Sequence, residues 1–598
     1  MRLVRDLIGV SLLMVHACGL SASAQCPPGT MTSLFWMQSI TTRQSGLAVD
    51  MTRLPTGELL VLSGDVFFGP GAFQFVGAGF VFRGTPDGVG GYTWTEEAMI
   101  RSADAAMLDQ AGNAVAIIAP DNGDTLAMVG ASLDDLVGVG ADAGSASTFR
   151  RGLAGAWTQE AMLVAPDAAA GDSFGKSVSI APDAAIVGSP NDDDGAANAG
   201  SAYVFARVPA GMAHQWSMQT KLTAFDPSAG AKFGSAVVLL DGWACVGAPY
   251  DDQAAGDAGA VYVFRRTSDG MGGDTWLFHS KIIAMDAQAG DQFGASLSAD
   301  AGLLLVGAPF GGAGDTGAAS VYRLADDGMN GDEWLFEARL TPLMGQASAG
   351  DQVGCSVSLR DGLALLGAYQ DDTGGTNTGS AYLFRRTVSA GEPVWTVTSK
   401  IRLPTPAPTD DFGFAVAMAS GWAAIGSPAH NQYGTDRGNT FVLAAPAPPV
   451  LLRPAADQSI QAGDTLVLSV EIGGQSPWTY QWFRGNVALT DGGRISGADA
   501  STLTITDAQV SDAGAYRVEI ANSCGVSASH AAVSVAPSPC AGDANGDRVV
   551  NFADVTAALA NFGFDYRPGT GPGDANADGV VNFADITSVL SAWGAPCP

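Results

Sequence analysis

The chain has 598 residues and carries 29 Lys and Arg against 60 Asp and Glu, a formal net charge of -31. Its length exceeds what one hydrophobic core serves, so several domains are required. The charge repels phosphate backbones and anionic lipid, which argues against nucleic acid or a membrane surface as partner.

Residues 1–24 read as a secretory signal peptide. Arg2 and Arg5 precede the apolar run LIGVSLLMVHACGL, and Ala22-Ser23-Ala24 offers a cleavage site before Gln25. A rival reading makes Cys18 a lipidated first residue, although His16 sits awkwardly beside such a site. No other run approaches the roughly 20 apolar residues of a membrane span. A soluble protein is expected, secreted or held at a bacterial cell surface.

From residue 25 to 445 a unit of about sixty residues recurs. Its clearest copies open with GDSFGKSVSI, GAKFGSAVVL, GDQFGASLSA, GDQVGCSVSL and DDFGFAVAM, with a marker glycine at Gly175, Gly234, Gly294, Gly354 and Gly413. An apolar strand ending in words such as IVGSP or CVGAP follows, then a Gly/Asp loop, then a strand such as SAYVF, and last a strand led by Trp. Two worn copies precede these. Seven units of four short strands predict a mainly β chain built around a seven-bladed β-propeller. Trp94, Trp157, Trp216, Trp276, Trp334 and Trp395 lead the last strands of units one to six, and unit seven stops at TFVLAAP without one. FWMQSI supplies it from the other end of the chain, with Trp36 58 residues ahead of Trp94. The wording FG…VGAP resembles the FG-GAP repeat of integrin α-chain propellers. Calcium-binding members of that family carry a D-x-[DN]-x-D-G loop before the GAP strand; SADAGLLLVGAP and LLDGWACVGAP stand there here.

After the hinge APAPPVLLRP, residues 446–536 read as an immunoglobulin-like sandwich. TLVLSVEI is its strand B, TYQWF its strand C with Trp482 in the core, and Tyr516 its tyrosine corner. Val518 and Val470 stand where such domains place their disulfide. Cys245 and Cys355 lie in apolar runs and read as buried free thiols; Cys26 and Cys524 have no assignable partner.

Residues 540–598 contain GDANGDRVVNFAD and, thirty-one residues on, GDANADGVVNFAD. Asp543, Asn545, Asp547, Asn551 and Asp554 hold positions 1, 3, 5, 9 and 12 of a twelve-residue loop, and Asp574, Asn576, Asp578, Asn582 and Asp585 repeat them. Alternate short oxygen-bearing side chains, with the position-7 carbonyls of Val549 and Val580, suit calcium and its six to eight oxygens. Two ions are expected. A helical pattern follows each loop, VTAALANFG and ITSVLSAWG. Loop–helix, linker, loop–helix with Asp at position 12 resembles the type I dockerin, an EF-hand-like module. The resemblance implies a cohesin as partner, contacted through positions 10 and 11: Phe552, Ala553, Phe583 and Ala584. Arg548 replaces the turn glycine seen as Gly579, so the first loop is expected to be the weaker site. Cys540 and Cys597 bracket the module, and a disulfide between them is one expectation, two free thiols the other.

Dockerins accompany polysaccharide-degrading enzymes, so paired carboxylates matter. Glu96, Glu97, Glu160, Glu333 and Glu337 fall on Trp-led strands and read as solvated edge residues. Asp192 to Asp194, Asp251, Asp252, Asp371 and Asp372 follow GAP strands and read as turn residues, or as an acidic ring that recruits cations. His214, His279 and His430 lack ligand spacing and read as structural. With no catalytic residue to name, the expectation is a non-catalytic exported binding protein with a protein- or glycan-binding propeller face. The alternative is a glycan hydrolase or lyase delivered by its dockerin.

Overall fold

A computed structural model describes residues 34–37, 46–68, 75–86, 92–120, 123–152, 155–210, 213–268, 274–326, 332–343, 345–389, 392–419, 421–430, 438–445, 449–473, 478–485, 487–522, 525–537, 542–545, 549–564, 573–576, 578 and 580–593. The signal-like segment, Cys26, Cys524, Cys540, Cys597, Asp547, Arg548 and Gly579 lie outside these residues.

The described chain is mainly β. Seven four-stranded antiparallel sheets follow one another: unit one over 48–100, then 114–163, 177–222, 236–282, 296–340, 357–401 and 416–444. Unit three shows the plan, with Ser177–Ile180, Ala184–Ser189, Ser201–Ala210 and Ala213–Leu222 pairing in order. Each second strand is the apolar GAP strand. Ala184–Ser189, Trp243–Ala248 and Leu363–Ala368 are buried throughout, as strands covered on both faces must be. In units one to six a bulge shifts the register between third and fourth strands, for instance between Val204 and Phe205.

Glycine explains the repeated wording. A Cβ on Gly188 would lie 1.9 Å from the Gly234 carbonyl oxygen of the next unit, and Gly247 with Gly294, Gly307 with Gly354 and Gly367 with Gly413 repeat the contact at 2.0–2.2 Å. The glycine of each GAP word therefore touches the glycine of the next FG word, backbone to backbone. The second partner also needs positive φ, +93° at Gly234, which glycine alone adopts freely. Gly426 of unit seven makes the same approach to Gly46 at 2.0 Å. Units seven and one also share a core cluster of Val49, Met51, Val61, Phe80, Trp422 and Val442, among others.

Leu34–Met37 pairs with Asn439–Ala444 and gives unit seven its fourth strand. Its register differs from the expected one. Trp36 stands opposite Phe441, the place held by Tyr203 in unit three, whose partner is Lys221 rather than Trp216. At the Trp place it would lie opposite Ala445, one residue beyond the end of its partner strand. The partner is too short to receive it there.

Val450–Arg453 to Gly525–Ala536 form the strands of the second domain. Trp482, Tyr516 and Val518 are fully buried and Val470 nearly so. The Trp482 indole donates to the Ala500 carbonyl at 2.9 Å and the Tyr516 hydroxyl to the Asp512 carbonyl at 2.8 Å. Apolar packing fills the disulfide's place. In the tail, α1 is Phe552–Ala560 and α2 is Phe583–Ser591.

Candidate functional site

Each tail loop ends by capping its own helix. The side-chain oxygen of Asn551 accepts from the Ala553 N–H at 2.7 Å, and that of Asn582 from Ala584 at 2.7 Å. The position-12 carboxylates turn back into the loops. Asp554 accepts from the N–H groups of Asn545 (3.1 Å) and Asn551 (2.8 Å), and Asp585 from those of Asn576 (3.2 Å) and Asn582 (2.7 Å). Both carboxylates are wholly buried, and among the described residues neither has a Lys or Arg partner. Two buried carboxyl groups that accept backbone N–H groups, in an all-oxygen donor set, fit a hard cation. Asp543, Asp574, Asn576, Asp578, Val549 and Val580 lie on the same loops, and the Asp578 N–H reaches Asp574 at 3.1 Å.

The halves clasp each other. The Gly542 N–H donates to Ala575 at 2.9 Å and the Gly573 N–H to Ala544 at 2.8 Å, an exchange that two-fold symmetry would produce. Ala544, Val550, Ala558, Ala575 and Val589 form their small core. Outside it, Phe552 is 71% exposed and Phe583 74%, with the exposed Leu559 and Leu590 about two turns further along the same faces. Ala553 and Ala584 beside them are exposed as well.

In the repeats, the acidic loops carry their own cations. Asp251 accepts from the Tyr262 hydroxyl and from Lys281 Nζ, each at 2.8 Å, while both donors also reach Asp226 of the preceding joint. In unit three Tyr203 and Lys221 bridge Asp167 and Asp192 in the same way, and Asp194 joins them. In unit six Lys400 and Tyr382 meet Asp371. The neighbouring Asp193, Asp252 and Asp372 accept backbone N–H groups five residues on, as turn residues do. These lysines and tyrosines escaped the sequence reading. Their signal was the Tyr of SAYVF and the Lys of TKL or SKI, one cross-strand pair in each unit.

The expectation of solvated edge glutamates is corrected for three of the five. The side chains of Glu97, Glu160 and Glu337 are 8%, 7% and 1% exposed. Each is taken by an Arg and a Trp of the next unit. Glu337 accepts from Arg386 at 2.7 and 2.6 Å and from the Trp395 indole at 2.7 Å; Glu160 does the same with Arg207 and Trp216, and Glu97 with Arg151 and Trp157. Against the upward push of burial, those donors hold all three carboxyls below the usual range. Gln219 serves Trp276 likewise at 2.9 Å. Glu96 and Glu333 are exposed, as expected.

Asp124, Glu160 and His214 also gather at one point, but Arg207 donates to both carboxylates there, at 2.6 and 2.8 Å. A guanidinium takes the centre. His279 donates its Nε2–H to the Asp332 carbonyl at 2.9 Å and meets the Ser280 hydroxyl with Nδ1 at 3.0 Å, and His430 pairs with Asp410 at 3.0 Å. Cys245 and Cys355 are free, the first buried as expected and the second only half-buried, and burial raises their thiols to about 12 and about 11.

The first strands of all seven units line one cavity of about 540 Å³. Its wall carries one carboxylate, Asp50, beside Lys176 and Arg360. Asp50 accepts from the Ile117 N–H of unit two at 2.7 Å. Ser179 and Ser298 serve Leu239 and Leu359 at the matching positions, so the place is a joint between inner strands.

Family models of the FG-GAP repeat match residues 157–205, 216–264, 276–322 and 334–384, and one of the immunoglobulin I-set domain matches 449–535. The chain thus carries four FG-GAP repeats and an I-set domain. It is similar to leucine-rich repeats and immunoglobulin-like domains protein 3 of Mus musculus and Homo sapiens, 32% identical over 134 residues, which is 22% of this chain and 12% of the relative. The decoration protein of Escherichia phage T5 is 35% identical over 105 residues, 17% of this chain and 60% of that protein. The chain therefore spans only a small part of the first relatives. Among solved structures the titin M3 domain matches at 28% identity, over 15% of this chain and 97% of the domain, with a TM-score of 0.14. A titin M10 complex with obscurin-like 1 matches at 30% identity, over 15% of this chain and 97% of the matched one, with a TM-score of 0.15.

Proposed function

We propose that the FG-GAP repeats and the I-set domain belong to an exported, non-catalytic binding protein that attaches to its scaffold through residues 540–598. In this reading the seven units form a β-propeller whose outer face binds a protein or glycan, and the I-set domain is a spacer. The tail is a type I dockerin that joins a cohesin when calcium is present.

The matched geometry of the two tail loops carries the reading. Position-12 carboxylates, capping asparagines and exposed Phe–Ala pairs coincide from one half to the other. Calcium, when bound, supplies the positive charge that lets the loop carboxylates lie together; Asp543, Asn545, Asn551, Asp554 and the equivalents from Asp574 to Asp585 would hold it. The seven joints of Gly–Gly contact, including Gly426 with Gly46, support the propeller. A polysaccharide hydrolase or lyase remains the alternative. The single carboxylate of the axial wall, spent on a backbone N–H, favours binding over glycoside hydrolysis, which commonly uses two.

The test is titration of the full chain with a panel of type I cohesins in calcium and again in chelator, beside reducing-sugar assays on plant, algal and microbial polysaccharides. Calcium-dependent capture without sugar release is expected. Capture that survives the chelator, or sugar release abolished by one Asp→Asn change on the axial wall, counts against it.

A further inference from the structure

Unit two keeps the acids of unit three and lacks the internal lysine of units three, four and six. Its second and third strands pair Gly130 with Ala146, as Gly188 pairs with Ala202 in unit three. In that alignment Asp134 takes the place of Asp192, Asp104 that of Asp167 and Asp109 that of Asp172. The bridging Tyr203 becomes Ser147, and Lys221 becomes Met162. The Phe of the FG word, Phe174, becomes Ala111. Two rings and an ammonium are gone from one spot.

A small cavity opens there, with room for about one water-sized sphere, walled by Ser102, Asp109, Ala111, Asp134, Ser145 and Ser147. Asp109 is 3% exposed and Asp134 9%. One oxygen of Asp109 accepts from the Ala106 N–H, and among the described residues the other has no donor. Asp134 accepts from the Ser145 hydroxyl. It has neither the turn N–H nor the lysine that Asp192 holds at 2.9 Å each. Burial raises the Asp109 carboxyl to about 6, with Asp134, Asp104 and Asp135 adding their repulsion, and burial raises Asp134 too. The Met162 sulfur lies 3.7 Å from the Ser102 hydroxyl.

We propose that this cavity binds one hard divalent cation, with carboxylate oxygens of Asp109 and Asp134 and hydroxyls of Ser145 and Ser147 as ligands. Two observations meet there: a void of single-ion size walled by two buried aspartates, and a lysine ammonium at the matching place in units three, four and six. Calcium–oxygen distances of roughly 2.3–2.6 Å suit a void of this size, and hydroxyl and carboxylate oxygens are the donors it takes. The site lies after the GAP strand and is independent of the tail loops.

The experiment measures calcium per full-length chain by equilibrium dialysis and elemental analysis. Asp109→Asn and Asp134→Asn remove ligand charge. Ser147→Tyr combined with Met162→Lys restores the sister units' own cation. Wild type should hold one calcium more than each variant at a free concentration that saturates it, and each Asn change should weaken that ion at least tenfold. Chelator should lower the first thermal transition of wild type and leave that of the Tyr/Lys variant in place. Equal calcium content in wild type and all three variants overturns the proposal. If the Tyr/Lys variant does not fold, the two Asn variants decide: unchanged content in both overturns it, and loss of one ion in both supports it.

Discussion

Lys281 Nζ lies 2.8 Å from the Oδ2 of Asp251, and the pair is almost wholly shielded, 7% and 4% exposed. The ammonium reaches Asp226 at the same distance and lies over the Tyr262 ring at 4.7 Å. Lys281→Met would leave a buried carboxylate without its counter-charge. The expected loss is about 3 kcal/mol, the usual scale for breaking a buried pair from one side. The exposed Lys176 changed to Met should stay within about 0.5 kcal/mol. Chemical denaturation followed by Trp fluorescence compares the two.

Glu337→Ala tests the joint between units five and six. It strands Arg386 and the Trp395 indole, both of which donate to that carboxylate. A cost of about 3 kcal/mol is expected. Glu337→Gln should cost less, because an amide already serves Trp276 at the Gln219 joint. Equal losses for the two variants would refute the latch.

The pH profile has two limbs of opposite sign. Glu97, Glu160 and Glu337 are held below the usual carboxyl range when folded. Their stabilisation is present above the unfolded value of about 4.3 and is lost as pH falls through the folded value. Asp50, Asp351 and Asp411 are each raised to about 6, chiefly by burial. Their folded forms hold the proton more tightly, so stability grows as pH falls from 7 through about 6. Thermal midpoints should therefore rise from pH 7 toward about 5 and drop below about 4. A profile that falls steadily from pH 7 to 5 contradicts this assignment, and Asp50→Asn should flatten the rise.

Phe552 and Phe583 occupy matching, exposed places, yet they are not equal. The Phe583 ring also packs edge-on against Phe562, 5.3 Å between centroids. If either half docks, changing one Phe to Asp leaves cohesin binding largely intact and changing both abolishes it. The Phe583 variant is expected to be the weaker single mutant, since it also loses the ring contact. Calorimetric titration ranks them; abolition by one change alone excludes docking through either half.

The unit plan was legible because glycine positions are set by backbone contact, which no other residue satisfies. The two-fold tail repeat was legible for a similar reason: each half needs a capping Asn and an in-turned Asp at fixed spacing before its helix. What covers a strand was not legible. Alternation along the Trp-led strands places Glu97, Glu160 and Glu337 outward, and only the neighbouring unit's Arg and Trp turn outward into buried. The lysine clusters were missed because their members stand far apart in sequence, 55 residues between Asp226 and Lys281. Trp36 was misaligned because the end of its partner strand at Ala444 cannot be read from TFVLAAP.

Removal of the first 40 residues tests the strand Leu34–Met37. It leaves Asn439–Ala444 as an open edge with unpaired N–H and carbonyl groups. The shortened chain should melt lower and associate at micromolar concentration, which scattering detects. A monomer as stable as the intact chain would show that the strand is dispensable.

The seam between units is written in main-chain atoms, Gly188 against Gly234 and so on to Gly426 against Gly46. A repeat can therefore forget its vocabulary and still be spoken in the same place. Unit two lacks the Phe, Tyr and Lys of unit three but keeps Gly112 and Gly130, which hold it in line with units one and three. Side chains between such fixed points are free to drift, and drift at one spot can leave a pocket where its siblings have a plug. Novelty in this architecture should arise one repeat at a time, at the copy whose spelling has decayed most.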